Sequence, residues 1–383
     1  MVAPPLPRPR ELDITLAEPR HREGVLGLFP SFESIGGVQA SGRLAWRSIV
    51  DRTNAEFGER YLISYGRTDN GTLLLGHGQP LLVSSRLGAV AAGARRRWPV
   101  RVVLVWHLDL LKYLLVLRVS GARTVVYLHG IEASRPLSLP TRVLLRRVHA
   151  FWTNSDHTWQ RFVALHPEFR STRHRTVHLG FGEVVRMEIP APATMPIAVM
   201  ISRLDQREDY KGHREVITAW PLVGERVPGA ELWIVGDGNL RTDLETTARD
   251  CGVSGQVRFL GALSDDAKEE MLIRSRCLLM PSQAEGFGLV YLEAMRLGRP
   301  CLVSTIDAGR EVVDPPEAGL AVDPTNTRGL ADAVARLLTC GEEWQAWSHR
   351  ARRRYGDHFT AARFEERLVT ALSEVARGHE SAT

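Results

Sequence analysis

Short runs of apolar residues recur along the chain, separated by longer stretches in which apolar positions return every three or four residues. The runs are continuous rather than alternating, as in Val102–Trp106 and Cys277–Met280. Continuous runs of this length suit strands covered on both faces, the condition inside a parallel sheet. In the first half they predict strands at Val25–Phe29, Tyr61–Ser64, Val102–Trp106, Thr124–Leu128, Phe151–Asn154 and Thr176–Leu179. In the second half they predict Ile197–Ile201, Glu231–Val235, Val257–Leu260, Cys277–Met280, Cys301–Ser304 and Leu320–Val322. Strands alternating with helical stretches argue for an α/β class with right-handed crossovers. Leu108–Val119 is apolar but broken by Lys112 and Arg118, and reads as a core helix.

The stretch Glu188–Pro196 holds Pro190, Pro192 and Pro196 among small residues, which suits a stiff linker. A boundary there leaves a comparable number of strands on each side and predicts two Rossmann-like domains, with an amphipathic helix over Ala361–Ala376 at the end. Ligands of such sheets bind beyond the carboxyl ends of the strands. Two sheets facing each other would share one cleft, so the loops that follow strands are where chemistry belongs.

Composition narrows the class. The 383 residues allow a core in each of two domains. The net charge of +5 fits an anionic ligand or a membrane surface and is too small to argue for nucleic acid. Cys251, Cys277, Cys301 and Cys340 are scattered, which speaks against a zinc site or a disulfide framework and for a cytoplasmic protein. Met1–Arg20 lacks the apolar core of a signal peptide, and no apolar run is long enough to span a bilayer. Ala94-Arg95-Arg96-Arg97-Trp98 offers arginines and a tryptophan to the inner face of a membrane; the alternative is a solvated helix end.

Four segments carry candidate chemistry. Pro281–Met295 follows a predicted strand, with Gly286 and Gly288 letting the loop approach a ligand and a helix opening near Leu289. Glu285 and Glu293 flank it, and carboxylates of this kind grip sugar and ribose hydroxyls. In Ile201–His213, Arg203 and Lys211 are two cations of the sort a pyrophosphate needs. Gly36-Gly37-Val38-Gln39, after the first strand, could bring backbone N–H groups to a phosphate. His129 ends a strand where it could meet a reacting sugar, while His107 reads as structural. The dinucleotide fingerprint is absent, because Gly236-Asp237-Gly238-Asn239-Leu240-Arg241 has arginine in place of the third glycine.

In this order the segments resemble the retaining glycosyltransferases of the large GT-B family called family 4 or group 1. The resemblance spans nearly the whole chain and is strongest from Val199 to Val322, where Glu285 and Glu293 stand as the family's E-x7-E pair. The Gly36–Gln39 run looks like the glycine loop of phosphatidylinositol mannosyltransferases. The resemblance implies an acceptor-side domain over residues 1–190, a nucleotide-sugar domain over 191–360, and a segment 361–383 whose helix crosses back to the first domain. Arg203 and Lys211 would hold the donor diphosphate, with the N–H groups of Leu289 and Val290 nearby and Gly37 facing them from the other domain. Glu293 would bind the ribose, and Glu285, beside Gly286, Phe287 and Gly288, would contact the transferred sugar next to His129. No cofactor is implied beyond the donor itself, and the acceptor would be a glycan, a lipid-linked molecule or a small molecule. A metal is not expected, since no Asp-x-Asp pair occurs and Asp265 and Asp266 are adjacent, in a predicted loop. Two departures stand out: the charged insert Gln206–Asp209, and Asp307-Ala308-Gly309-Arg310 where the family has a glycine-rich loop. The alternatives are a nucleotide-sugar 2-epimerase and a non-catalytic sugar-binding protein on the same fold.

Overall fold

Along the first strand, Val25 and Phe29 enter one core while Leu26 and Leu28 enter another, so the strand is buried on both faces. Ile197 and Val199 part from Ala198 and Met200 in the same way. This two-sided burial is what the continuous apolar runs encode. The computed structural model describes residues 24–30, 32, 36–53, 56–65, 72–75, 79–82, 97–130, 134–185 and 191–378. The predicted features at Met1–Arg20, Ala94–Arg96, 186–190 and 379–383 lie outside the described residues.

The first sheet draws on β1 (Gly24–Pro30), β2 (Arg60–Tyr65), β5 (Val100–Val105), β6 (Arg123–Leu128), β7 (Ala150–Thr153) and β8 (Arg173–Thr176). A small antiparallel pair, β3 (Thr72–Leu75) and β4 (Gln79–Leu82), forms a sheet of its own beside β2 and was not predicted. The second sheet holds β9 (Ile197–Ile201), β10 (Glu231–Val235), β11 (Val257–Gly261), β12 (Cys277–Met280), β13 (Cys301–Ser304) and β14 (Gly319–Val322). The orders are β2-β1-β5-β6-β7-β8 and β11-β10-β9-β12-β13-β14. All pairings within both sheets are parallel. This is the GT-B arrangement, two Rossmann-like sheets in one chain. Strand order reverses between β1 and β5 in the first sheet and between β9 and β12 in the second. A crevice forms at such a reversal because the flanking connections leave in opposite directions.

Two expectations shift. The strand expected at Thr176–Leu179 lies at Arg173–Thr176. As an edge strand it pairs only with β7, so backbone bonds suffice and its polar side chains cost little; the apolar Val177 and Leu179 are buried just after it. The core helix expected over Leu108–Val119 is a shorter one of 3-10 type, Leu108–Leu115. Its buried residues, Leu108, Leu110 and Leu111, are nearly contiguous, a spacing that an α-helix would spread around its axis. No helix among the described residues is long and apolar enough to cross a membrane.

The helix Ala361–Arg377 packs against the helix Gly37–Arg52 and against β5. Phe364, Leu368, Leu372 and Val375 are buried along one stripe at helical spacing. Arg123 on β6 donates to the Ala376 carbonyl at 3.1 Å, fastening the helix end to the first sheet. The chain therefore crosses from the second sheet back to the first, and one apolar core includes residues of both sheets and this helix.

Candidate functional site

The start of an α-helix exposes backbone N–H groups that need a partner. Most helices here supply their own. Ser138, Ser155, Ser264, Asn326 and Thr360 cap theirs with a side chain, and the helices starting at His213, Arg241, Gly309 and Glu342 carry an acidic residue in the first turn. Among the described α-helices only two have neither device: Gly37–Arg52, which follows β1, and Leu289–Arg296, which follows the β12 loop. Both begin on glycine-containing turns, and Gly288 holds φ at 83°, a left-handed value that favours glycine. They meet across the cleft, since a Cβ on Gly37 would lie 3.4 Å from Leu289 Cδ1. Two positive dipole ends thus converge on one space.

That space is a cavity of about 220 Å³ between the domains, lined by Gly37, Val38, His129, Lys211, Glu285, Phe287, Gly288, Leu289 and Val290 among others. Most of the predicted residues therefore come together although they are far apart in sequence. Arg203, Glu293, Gly36 and Gly286 do not line it. Gly36 caps the helix at Gly37. Gly286 serves as the contact between domains: a Cβ there would sit 2.2 Å from the His129 carbonyl oxygen and 2.8 Å from Gly130 Cα.

Arg203 departs from its expected place. Its side chain is 71% exposed and pairs with Glu208, which also pairs with Lys211. The charged insert thus puts one carboxylate between the two cations, and Lys211 alone reaches the cavity. Glu293 is mostly buried and accepts from Lys268 Nζ at 3.1 Å; Lys268 also reaches Asp265 at 3.1 Å. Burial raises the Glu293 pKa, and Lys268 opposes the rise. Burial also pushes the Glu285 carboxyl up, with Lys211 and the Gly286 and Phe287 N–H groups holding it down in part. His129 Nε2 lies 2.7 Å from the Trp106 carbonyl, so that nitrogen donates and the ring is held in one orientation. Asp265 and Asp266 open a helix rather than lie in a loop. Among the described residues no group of three or more His, Cys, Asp or Glu side chains is placed to hold a metal ion.

Residues 183–354 match the family described as glycosyl transferases group 1. This part of the chain is a group 1 glycosyltransferase domain. The chain is 32% identical over 194 residues to the GDP-mannose-dependent alpha-(1-6)-phosphatidylinositol monomannoside mannosyltransferase of Mycobacterium tuberculosis. That match covers 49% of this chain and 49% of the relative, so the chain spans about half the length of this curated relative. The glycogen synthase of the same organism is 28% identical over 305 residues, 75% of this chain and 71% of that one. In three dimensions the chain is similar to sucrose-phosphate synthase from Thermosynechococcus elongatus, with a TM-score of 0.72 and 17% identity over 93% of this chain and 100% of that one. This last likeness speaks for the fold alone.

The group 1 domain is positioned by residues to which sequence reading gave no such role, Asp307 having been noted only as part of a departure from the family's loop. Asp307, 3% exposed, accepts from the Glu285 N–H at 3.2 Å and the Gly309 N–H at 2.9 Å, propping the Glu285 loop from below. Burial lifts its pKa to about 7, against the pull of the Gly309 N–H. From the other sheet, Ser155 Oγ donates to the Gly286 carbonyl at 2.9 Å, and Asn154 Nδ2 donates to the His129 carbonyl at 2.9 Å. Glu311 crosses the cleft: it accepts from the Asp156 and His157 N–H groups at 2.9 and 3.2 Å and lies 2.7 Å from His178 Nε2. A carboxylate of the group 1 domain thus caps a helix of the other domain. Burial would raise the Glu311 pKa, but His178 and the two N–H groups bring it below the usual value. The available signal was Thr153-Asn154-Ser155 after a strand, a helix cap of ordinary kind; its partner across the cleft is set by the fold.

Proposed function

We propose that this protein transfers a sugar from a nucleotide diphosphate sugar to an acceptor. The observation that carries this reading is the meeting of two uncapped helix N-termini, one from each domain, over a cavity that also holds Lys211 and Glu285. Backbone N–H groups and a lysine suit the diphosphate of the donor. A leaving diphosphate gains charge as the sugar departs, and preorganised donors stabilise that charge most where water is excluded. Glu285 and His129 stand on the sugar side, and Glu293 on the ribose side once Lys268 yields. We read the reaction as retaining and as independent of a divalent metal, with Lys211 and the helix N-termini neutralising the phosphates. The relatives are named for acting on lipid or glycan, and acceptors of these classes fit the reading. No peripheral membrane contact is proposed for Arg97-Trp98, since Trp98 is buried against Tyr61.

The first experiment is a thermal-shift screen against UDP, GDP and ADP, because a ligand of the native state raises its stability. One of the three raises the melting temperature. Turnover of the matching nucleotide sugar is then followed with acceptor extract and without it. Turnover that needs the extract supports transfer, while rearrangement of the sugar in its absence means an epimerase and overturns the proposal. Activity persists in excess EDTA; a loss restored by magnesium or manganese would overturn the metal-independent reading.

A further inference from the structure

A second cavity of about 720 Å³ opens on the first domain and shares Val38 with the site just described. Its floor is apolar, formed by Leu108, Leu111, Leu137 and Leu144, and its rim carries Lys112 and Arg135. Past Leu115 and Leu144 it continues into a trough of about 1160 Å³, whose lining includes Leu114, Leu117 and three arginines, Arg97, Arg118 and Arg147. Exposed apolar side chains flank this path: Leu115 at 67%, Leu139 at 74% and Val143 at 50%. Large apolar groups clustered at the surface beside cations are the mark of a binding surface. The charge is one-sided. Asp109 is the one carboxylate in the two linings among the described residues, and it turns to His107 at 3.7 Å. Among those residues no carboxylate lies within ion-pair distance of Lys112 or Arg135, although surface cations elsewhere on the protein are widely paired.

We propose that this path is the acceptor site and that the acceptor is an anionic amphiphile. Its polar head would meet Lys112 and Arg135 with a hydroxyl beside Val38 and His129, and its alkyl chain would lie over Leu111, Leu115 and Leu144. Continuity with the donor cavity places the head at the reacting end, and cations over an apolar floor match a charged head on an apolar chain. This rests on the sugar-transfer reading. In the transfer, the acceptor hydroxyl oxygen bonds to the anomeric carbon and the bond from that carbon to the diphosphate oxygen breaks. The diphosphate leaves with the bonding pair and takes up the hydroxyl proton.

The test is calorimetry with dodecyl phosphate below its micelle concentration, the donor site first being saturated with the nucleoside diphosphate found in the thermal screen. Inorganic phosphate is the head alone, and dodecyl maltoside is an uncharged head on the same chain. Dodecyl phosphate is expected to bind at least about tenfold more tightly than either, since both charge and chain contribute. Lys112→Glu with Arg135→Glu should weaken dodecyl phosphate about tenfold and leave dodecyl maltoside unchanged. Leu115→Asp should weaken both amphiphiles. Thermal melts control for folding, with Lys112→Gln as a milder variant giving a smaller loss in the same direction. Dodecyl phosphate binding no more tightly than inorganic phosphate, or unaffected by charge reversal, overturns the proposal. So does binding to phosphatidylglycerol vesicles without binding to the monomer, which would make this a membrane-facing surface. Failure of every nucleoside diphosphate to bind strikes the sugar-transfer reading instead, and the amphiphile titration, run without a nucleotide, still reports on the groove.

Discussion

Glu208 pairs with both Arg203 and Lys211, where a diphosphate would seek the same charges. An anionic ligand must therefore compete with an internal carboxylate. Glu208→Gln removes the competitor while keeping the shape. It should tighten nucleoside diphosphate binding roughly two- to fivefold, the worth of a partly exposed ion pair. Unchanged or weaker binding by calorimetry would mean that Glu208 positions Lys211 rather than opposing the ligand. Lys211→Ala removes the one side-chain cation that lines the cavity among the described residues, and turnover should fall about 100- to 1000-fold, as for loss of a single preorganised donor. Arg203→Ala, lying outside the cavity, should cost much less; equal losses would place both side chains on the phosphates. Glu293→Ala should weaken nucleotide binding by roughly 1.5–3 kcal/mol, the usual worth of charged hydrogen bonds. Full affinity in a folded variant would assign Glu293 to holding Lys268 alone.

At the scale of elements, the two uncapped helices contrast with the helix Asp156–Leu165. The first turn of that helix is satisfied twice, by Ser155 and by Glu311 from across the cleft. The cleft has about 220 Å³ of space at the site, less than drug-sized ligands usually occupy, so a donor seated fully between the domains would need them to part. Such a parting would break the Glu311 contact with His178 and the helix N-terminus. Glu311→Ala should shift the free protein toward an open form, seen in small-angle scattering as a larger radius of gyration. It should also cost roughly tenfold in kcat/KM, since each lost charged hydrogen bond is worth about 1.5 kcal/mol or more. An unchanged scattering profile and unchanged kinetics would reduce Glu311 to a helix cap.

Across the whole molecule, histidines shielded from water, fully at His213 and in part at His174, tie stability to pH. His213 is fully buried with Nε2 3.2 Å from Ser202 Oγ, and burial lowers its pKa to about 3. His174 lies flat on Trp159 at 4.2 Å, and burial lowers its pKa to about 4. Both bind protons more readily when unfolded. Their contribution is complete above the unfolded value of about 6.5 and is lost as pH falls toward 4 and 3. Asp307 works the other way: its raised pKa lets the folded state bind the extra proton, so its contribution declines as pH rises from about 4 to about 7. On acidification from pH 6.5 to 4 these histidines lower the melting temperature, while Asp307, with Glu285 and Glu293, whose pKa values burial also raises, opposes the fall. His174→Phe should make that fall shallower, and Asp307→Asn should make it steeper. A His174→Phe variant with the same slope as the parent would show that His174 is not a source of the acid lability.

Much of the fold is legible in the order of residues because burial on both faces of a parallel strand leaves a continuous apolar run. Val102–Val105 and Cys277–Met280 had no other reading, whereas β8, an edge strand of Arg173, His174, Arg175 and Thr176, had no such run to reveal it. The glycines and charged residues of the site were legible for a similar reason: Gly37, Gly288, Lys211 and Glu285 stand in the connections that follow strands, where a parallel sheet collects its ligands. Which of them share one cavity was not legible. Arg203 and Lys211 look alike as cations in one loop, and only the fold turns Arg203 outward and sets Glu208 between them. Asp307, Ser155 and Glu311 each look ordinary in sequence. Their roles come from partners more than 20 residues away, within the domain for Asp307 and across the cleft for Ser155 and Glu311, and such hydrogen bonds leave no period and no local spacing in the chain.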